Sequence, residues 1–571
     1  MPGLRNLPSF FLFNARIFTA DPQLPEATAM VVEHGRIRWI GRQEDANPGS
    51  GLATVDLQGR RVIPGIVDAH MHPLFLAQTA EQIACLPPAV HSVDDIVAAV
   101  RRRREDLARN PGHQPNPPWI LGWGYDEGKL AEGRAPTRWD LDRGAADVPV
   151  VITRICYHVV AVNSKALELA GITRETPDPP GGRIDRDERG EPTGILRESA
   201  RHLVLDRIPN PSPEAWAEML AGLSPYLFAR GITGITDMMA RRHPVDDLEL
   251  YRMARTRGLQ QRVALYVLWD HLQKDGEEGG ATGGLGVDPD PQGGGAARGG
   301  APVLLPYEPI DLDPRQPVFV AGIKVFADGS ISGRTAWVDP PYRGEGSHGL
   351  PMVTSQELRA AAAAARGAGV QLAVHAMGNR AIEQVAGTLV GLPAWLADGP
   401  SIRIEHATLA GPEAMVQAAQ AGMAFVPQPI FLFAEIESYV NNLGEERAGC
   451  AYPLRSMLDA GVRVALSSDA PATSWSDPAN PFVNVKMAVT RTASDGRQVG
   501  PGEAIPPATA LALYTREAAR VLRLPGVGRL APGFAADFVV LDRDPLAVEP
   551  EEIDTVQVLA TYMAGQRVYE A

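Results

Sequence analysis

Two histidines, His70 and His72, follow the apolar run in the segment VIPGIVDAHMHP at residues 62–73. Side chains alternate between the two faces of a β-strand, so residues two positions apart share one face. Two imidazoles on one face at a strand end can hold one cation between them. An H-x-H pattern alone is weak evidence, because polar residues at a strand end are often only solvated. Whether this pair binds a metal ion therefore depends on which residues follow the other strands.

Further potential ligands follow other apolar runs. The run VQLAVHAMG contains His375, SIRIEHATL contains His406, and VRVALSSDAP contains Asp469. The run VFVAGIKVFADGS places Lys324 inside an apolar strand. A single histidine after a strand is more often a packed or loop residue, but a series of them at successive strand ends favours a metal site.

Lys324 needs a separate explanation, because an ammonium group repels a divalent cation. Burial lowers the pKa of a lysine, and the neutral amine can then add carbon dioxide. The resulting carbamate has two oxygens, one for each of two metal ions. Histidine, aspartate and carbamate ligands suit zinc, and two such ions, about 3.5–4 Å apart, would share a hydroxide. The alternative for Lys324 is a salt bridge to Asp328.

The elements that carry these residues alternate strand-like runs with helical stretches, which predicts parallel βα units and an α/β fold with a TIM-like (β/α)8 barrel over 65–526. In such barrels the chemistry lies at the carboxyl ends of the strands. Short β-rich runs at 1–64 and 527–571 predict one small composite β-sandwich. Residues 80–215 are expected to be an insertion within the barrel that shapes the substrate pocket. The Gly-rich stretch 276–300 is expected to be a disordered loop.

Six segments together resemble the amidohydrolase superfamily: VIPGIVDAHMHP, KVFADGSISGRTA, VHAMGNRAIE, RIEHATL, SSDAP and GRLAPGFAADFVVLDRDPL. The chain is most similar to the branch that contains N-substituted formamide deformylases and related metal-dependent amidohydrolases. The similarity runs over nearly the whole chain and includes the inserted segments GWGYDE, TRICYHVVAVNSKAL and PPGGRIDRDERGEPTGILRE. The resemblance implies a metal-dependent hydrolase on a TIM-like barrel with a composite β-sandwich.

The resemblance also implies roles for single residues. His70 and His72 match the ligands of the first strand, and Lys324 matches the carboxylated bridging lysine. His375 and His406 match the ligands of the second metal.

Asp469 matches the aspartate of the last strand, which binds metal and shuttles the proton. One position departs from the pattern: Asn379 stands where the family often has aspartate after HA-x-G. Because an amide cannot act as a base, no acid–base role is expected of Asn379.

The expected reaction is hydrolysis of a carbon–nitrogen bond other than a peptide bond, in an amide or an N-substituted formamide. Metal lowers the pKa of bound water toward roughly 7 and supplies hydroxide. Asp469 would take the proton from the nucleophile and pass it to the leaving amine. The predicted residues of the substrate pocket are Trp123, Tyr125, Asp126, Arg154, His158 and Arg334. Ordinary packing is the alternative for Trp123 and Tyr125. Ser330 and Ser332, with Arg334, could also approach the substrate, and a turn-stabilising role is the alternative for these three residues.

Three other functions remain open at this point. A mononuclear aminohydrolase (deaminase) could use the same barrel, although it has no need of a bridging lysine. A metal-dependent lyase or decarboxylase would differ in its products. A binding protein without catalysis would be expected to fold without metal.

The composition of the 571 residues limits the possible partners and the cellular location of the protein. A net charge of −14 argues against a nucleic-acid partner, and no apolar run reaches the roughly 20 residues of a bilayer span. Three scattered cysteines, an odd number, argue against a disulfide framework. The sequence therefore predicts a cytoplasmic enzyme with a small-molecule amide substrate, no membrane partner and an open oligomeric state, with a homodimer as one option.

Overall fold

The computed structural model describes residues 8–80, 82–109, 118–127, 129–155, 159–180, 182–242, 245–274, 318–344 and 346–571. The predicted Gly-rich loop at 276–300 and the predicted pocket residue His158 lie outside these ranges.

Eight parallel strands form the central sheet. They are β1 (Ile66–Val67), β2 (Ile232–Ala240), β3 (Arg262–Leu268), β4 (Val318–Phe326), β5 (Gln371–Ala376), β6 (Ile402–His406), β7 (Ala424–Val426) and β8 (Arg463–Val464). Their order in the sheet is their order in the chain. Backbone hydrogen bonds from Asp469 N to His70 O (2.7 Å) and from His72 N to Ala470 O (2.9 Å) join the segments that follow β8 and β1. The sheet thus curls round into the predicted TIM-like barrel.

Both faces of the central strands are covered. All six residues of β5 and all five of β6 are buried, as expected of a parallel sheet with helices on its outer face. Local sequence signals mark where these helices begin. Thr354 and Glu357 form a capping box at the helix Ser355–Gly367. The backbone N–H of Glu357 donates to Thr354 Oγ1 at 3.2 Å, and that of Thr354 donates to Glu357 Oε2 at 2.8 Å. Local capping and buried apolar faces therefore fix each βα unit.

The helices of the barrel region are Pro73–Ala80, Pro213–Phe228, Asp247–Arg257, Trp269–Lys274, Ser355–Gly367, Asn379–Leu389, Pro412–Gln420, Pro429–Ala434, Ile436–Leu443, Glu445–Gly449, Leu454–Asp459, Pro481–Thr490, Pro507–Ala512 and Ala518–Val521. A π-helical turn, Leu513–Glu517, joins the last two. No helix in the described ranges combines the length and the hydropathy that a bilayer span requires.

Between β1 and β2 the chain forms a second, six-stranded sheet. In spatial order its strands are Ile83–Ala84, Ile120–Tyr125, Val150–Arg154, Val159–Val162, Pro192–Glu198 and Gly182–Arg186. The helices Val93–Arg109, Arg138–Asp142, Ser164–Ala170 and His202–Leu205 accompany it. Two apolar clusters belong to this region alone, so the segment where the insertion was predicted has a core of its own.

The two ends of the chain form two further sheets. A four-stranded sheet has the order Arg36–Gly41, Ala29–Glu33, Phe10–Phe13, Ala53–Asp56. A six-stranded sheet has the order Gln566–Glu570, Val558–Met563, Phe538–Leu541, Arg61–Pro64, Arg16–Phe18, Glu26–Ala27. One apolar cluster draws residues from both sheets, among them Leu12, Val32, Phe538 and Val540. The N- and C-terminal segments thus share both a sheet and a core.

Candidate metal centre

The predicted ligands lie at the carboxyl end of the barrel. His70 and His72 follow β1, His375 lies in β5, His406 ends β6 and Asp469 follows β8. Each is at most 9% exposed. The ring centroids of His70 and His406 are 4.9 Å apart, and those of His375 and His406 are 4.4 Å apart. The fold therefore gathers into one buried cluster residues that are far apart in sequence.

Asp469 lies at the centre of this cluster. Its Oδ1 is 2.8 Å from His72 Nε2 and 3.3 Å from His70 Nε2. One ligand atom each from His70, His406 and Asp469 lie within 4.8 Å of one another. Burial alone would raise the pKa of Asp469, but the imidazoles of His70 and His72 outweigh it and hold that pKa well below its usual range. Asp469 is therefore an ionised carboxylate among imidazole nitrogens.

The donor set fits a divalent metal ion. In the described part of the chain the buried Asp469 Oδ1 has no well-aligned hydrogen-bond donor, and its nearest polar neighbours are the two imidazole nitrogens. A buried, unpaired carboxylate oxygen is costly unless an ion binds it. Two ligands of a tetrahedral zinc ion lie roughly 3.4 Å apart, close to the 3.3 Å between Asp469 Oδ1 and His70 Nε2. Imidazole and carboxylate ligands are those that zinc prefers.

Acceptors on neighbouring residues orient two of the histidines. His70 Nδ1 is 2.7 Å from Glu405 Oε2, and His406 Nδ1 is 2.7 Å from Gln428 Oε1. An Nδ1–H that donates to such an acceptor leaves the Nε2 lone pair for a metal. Sequence reasoning missed both partners. The charged Glu405 inside the apolar run IRIEH was a usable signal, whereas nothing in the sequence marked Gln428.

His375 faces a different partner. Its Nε2 is 3.0 Å from the carbonyl oxygen of Gly329, so Nε2 carries the proton and Nδ1 is the nitrogen left for a metal. Burial lowers the pKa of His375 to about 3, with the nearby Lys324 as the next cause. Burial also lowers the pKa of His406 well below its usual value, followed by the effect of His375. Both imidazoles are therefore neutral at pH 7, the form that binds metal.

Lys324 lies within β4 with only 1% of the residue exposed. Burial lowers its pKa to about 8, although the carboxylates of Glu405 and Asp469 act in the opposite direction. In the described ranges Lys324 forms no ion pair with Asp328, the alternative that the sequence left open.

The carboxylate of Asp328 has other partners. It accepts hydrogen bonds from the backbone N–H groups of Trp337 (2.8 Å), Met377 (3.0 Å) and Gly378 (2.8 Å). Asp328 therefore holds the loop after β4 against the end of β5.

Two of the clustered residues have left-handed backbone conformations. The φ angle is 66° at His406 and 57° at Asp469. Such conformations are uncommon in residues other than glycine, and strained ones cluster at functional sites, where the surrounding structure holds them. At Asp469 the backbone N–H to His70 O bond provides that support.

The predicted pocket residues fall into two groups. Trp123 and Tyr125 are buried, 4% and 0% exposed, and Tyr125 belongs to an apolar cluster of the inserted region. Asp126 and Arg154 form an ion pair at 3.3 Å, and Arg154 also binds Glu127 at 2.8 Å.

A narrow cleft lies where the inserted region meets the barrel. Asp126 and Ser474 are both among its lining residues, and Ser474 is in the loop that carries Asp469. The structure thus brings Asp126 to the loop after β8.

The remaining positions that the sequence analysis discussed form local and long-range hydrogen bonds. Arg334 Nε donates to Asn442 Oδ1 at 2.7 Å, and Ser330 Oγ accepts from Gly333 N at 3.0 Å. Asn379 Oδ1 accepts from Asp339 N at 3.0 Å. The amide of Asn379 thus binds backbone, in keeping with the expected lack of an acid–base role.

Comparison with known proteins identifies the family. A family model described as the amidohydrolase family matches residues 53–569. The chain is 30% identical to the amidohydrolase YtcJ of Bacillus subtilis over 571 residues, 97% of this chain and 98% of that protein. It is 30% identical to the N-substituted formamide deformylase of Arthrobacter pascens over 582 residues, 100% of this chain and 99% of that protein.

A solved structure of a metal-dependent hydrolase is also similar to this chain. A metal-dependent hydrolase of Pyrococcus horikoshii aligns with a TM-score of 0.68 and 26% identity, covering 95% of this chain and 99% of that one. The family that the sequence motifs predicted is thereby confirmed. The chain belongs to the amidohydrolase family.

Proposed function

We propose that the chain hydrolyses a small N-substituted formamide or a related carboxamide, releasing a carboxylate and an amine. As a member of the amidohydrolase family it is a metal-dependent hydrolase of carbon–nitrogen bonds. The observation that carries it is the buried, unpartnered Asp469 Oδ1 between the Nε2 atoms of His70 and His72. The full-length similarity to a formamide deformylase supports the substrate class.

The residues present would hold two zinc ions. His70, His72 and Asp469 would bind one ion, and His375 and His406 the other. A carboxylated Lys324 would bridge them, and its burial and lowered pKa support this role because only the neutral amine adds carbon dioxide. Bound metal lowers the pKa of water and polarises the amide carbonyl.

Asp469 would move the proton. Its Oδ1 faces the two imidazoles, so Oδ2 is the oxygen left to take a proton from water and return it to the leaving nitrogen. Its lowered pKa keeps the carboxylate ionised at neutral pH. Proton transfer of this kind typically contributes about 10²–10⁴-fold in rate.

Aromatic side chains restrict water around the cluster. The ring centroid of Phe326 is 5.1 Å from that of His375, Phe75 is 6.0 Å from His72, and Phe431 is 6.3 Å from His406. A site with little water strengthens the interactions of the carboxylate and imidazole groups. We expect the inserted region to complete the pocket, because Asp126 reaches the loop after β8.

A mononuclear aminohydrolase is the second candidate. One ligand atom each from His70, His406 and Asp469 lie within 4.8 Å of one another, and three ligands suffice for one catalytic metal ion. In that case Lys324 would not bridge.

We also propose a location, partners, a domain arrangement and an assembly for the enzyme. The net charge of −14 and the scattered cysteines support a cytoplasmic protein without a nucleic-acid or membrane partner. The two terminal sheets, which share one apolar cluster, support the predicted composite β-sandwich. A homodimer is one option for its assembly.

A product screen tests the proposed substrate class. Zinc-loaded protein is incubated with a series of N-alkyl formamides and N-acetyl amines, and formate, acetate and free amine are measured. Release of acid and amine in equal amounts, lost in Asp469→Asn, is the expected result. Ammonia release from amino-substituted rings, with no amide cleaved, would favour the aminohydrolase instead.

A further inference from the structure

Arg403 lies inside the barrel on β6, fully buried and two residues before Glu405. We propose that Arg403 is a positioning residue that fixes His70, through Glu405 and through the backbone, in the orientation in which its Nε2 binds metal. The inference rests on the proposed function in one respect, that His70 is a metal ligand. In the described part of the chain no hydrogen bond or ion pair joins Arg403 to the clustered histidines or to Asp469.

The first link is a bidentate ion pair. Arg403 Nε donates to Glu405 Oε1 at 2.8 Å, and Nη2 donates to Glu405 Oε2 at 2.9 Å. Glu405 Oε2 is the atom that lies 2.7 Å from His70 Nδ1. Two parallel bonds set the plane of a carboxylate as well as its position, so Arg403 determines where Glu405 presents its acceptor to the imidazole.

A second link reaches the backbone. Arg403 Nη2 also donates to the carbonyl oxygen of Ala69 at 2.7 Å, one residue before His70. The same guanidinium therefore binds the main chain next to His70 and the carboxylate that accepts from its ring. Rotation of the imidazole away from this position would break its Nδ1 bond to Glu405, the carboxylate that Arg403 holds in place.

A third link anchors Arg403 toward the opposite end of the barrel. Arg403 Nη1 donates to Tyr266 Oη at 2.6 Å, and Tyr266 Oη donates to Gln371 Oε1 at 2.5 Å. Gln371 Nε2 donates to the carbonyls of Pro400 (2.6 Å) and Val521 (3.0 Å). Tyr266 and Gln371 are fully buried. Side chains of β3, β5 and β6 thus hold the guanidinium in place.

A purely structural ion pair is the competing explanation. Removing one partner of a buried pair destabilises a protein whatever its function. The chain offers a matched control, the buried ion pair of Arg262 and Asp537, each 2% exposed, which joins the start of β3 to the C-terminal sheet. Substitution there should lower stability and leave metal binding unchanged.

The test measures metal affinity rather than turnover. Metal-free wild type, Glu405→Gln, Arg403→Lys, Tyr266→Phe and Arg262→Gln are titrated with zinc against a chelator of known affinity. Cobalt(II) absorption spectra report the geometry around the metal, and circular dichroism reports melting. Loss of a hydrogen-bond partner of a ligating histidine typically weakens metal binding about 10–100-fold.

We expect a weakening in that range for Glu405→Gln, a smaller one for Arg403→Lys and the smallest for Tyr266→Phe, each with an altered cobalt spectrum. Arg262→Gln should melt earlier with an unchanged zinc Kd. Wild-type zinc affinity and cobalt spectra in folded Glu405→Gln and Tyr266→Phe would overturn the inference, even if Arg403→Lys failed to fold. The proposed function fails separately, if His70→Ala binds zinc as tightly as wild type.

Discussion

Asp68 Oδ1 accepts a hydrogen bond from the backbone N–H of Ser468 at 3.0 Å, and it also lies 3.3 Å from the backbone N of His70. Asp68 is fully buried. One carboxylate oxygen therefore ties the segment that carries His70 to the segment that carries Asp469. The first and last strands of the barrel meet at the candidate metal centre, so the interactions that close the sheet also bring the ligands together.

Replacement of Asp68 should lower both the stability of the fold and the affinity for metal. Asp68→Ala leaves two buried N–H groups without this acceptor, and we expect a loss of stability of about 1–3 kcal/mol, together with weaker metal binding. Asp68→Asn retains one acceptor oxygen and should lose less stability and less metal affinity. Thermal melting and a zinc titration check this. Equal effects of the alanine and asparagine variants would contradict the role of the acceptor.

Asp469→Asn should separate metal binding from proton transfer. The amide keeps an oxygen ligand but cannot take a proton, so we expect retained metal and a loss of about 10²–10⁴-fold in kcat. Metal analysis and steady-state kinetics on one cleaved amide provide the measurement. His348→Gln, at a half-exposed position outside the cluster, is the control. Full activity of Asp469→Asn would disprove the assigned role.

Lys324→Gln should remove the proposed bridge. Glutamine cannot add carbon dioxide, so we expect metal content to fall from about two ions per chain toward one, with most activity lost. A short carboxylate such as acetate, added with zinc to Lys324→Ala, should restore part of the activity by replacing the carbamate. Unchanged metal content and activity in the glutamine variant would show that Lys324 does not bridge.

Glu435 should make the stability of the fold depend on pH. Burial raises the pKa of Glu435 to about 7, although hydrogen bonds from Ser332 and Ser474 act the other way. The pKa of glutamate in the unfolded chain is about 4.3, so the folded state binds this proton more tightly. The stability that this group contributes is fully present below about pH 4.3 and is lost progressively as the pH rises from there through about 7.

The variant Glu435→Gln removes that dependence. We expect its melting temperature to exceed that of wild type by more at pH 8 than at pH 5. Glu437→Gln, at a neighbouring exposed position (57% of its side chain), serves as the control and should show no such difference. A gain for Glu435→Gln that is equal at both pH values would refute the assignment.

The barrel was predictable from sequence because each βα unit is encoded locally. The buried runs of β5 and β6 and the capping box at Thr354 and Glu357 are visible within a few residues. The same locality made the positions of His375 and His406 predictable, since a polar residue at the end of an apolar strand lies at the carboxyl end of the barrel.

Contacts across the barrel interior could not be predicted in this way. The bonds from Arg403 to Tyr266 and Ala69 join residues separated by 137 and 334 positions, and no local pattern encodes them. The proton on His375 Nε2 depends on the carbonyl of Gly329, which only the folded loop brings close. The aromatic residues Trp123 and Tyr125 are both buried, and Tyr125 belongs to an apolar cluster of the inserted region.

Metal content per chain is the most direct test of the proposed centre. The protein is purified without added metal, and its metals are measured by elemental mass spectrometry against protein concentration by amino-acid analysis. We expect about two zinc or similar divalent ions per chain, bound by His70, His72, His375, His406, Asp469 and carboxylated Lys324. One ion per chain would contradict the bridged centre and favour the mononuclear aminohydrolase. No metal in folded protein would contradict a metal-dependent hydrolase altogether.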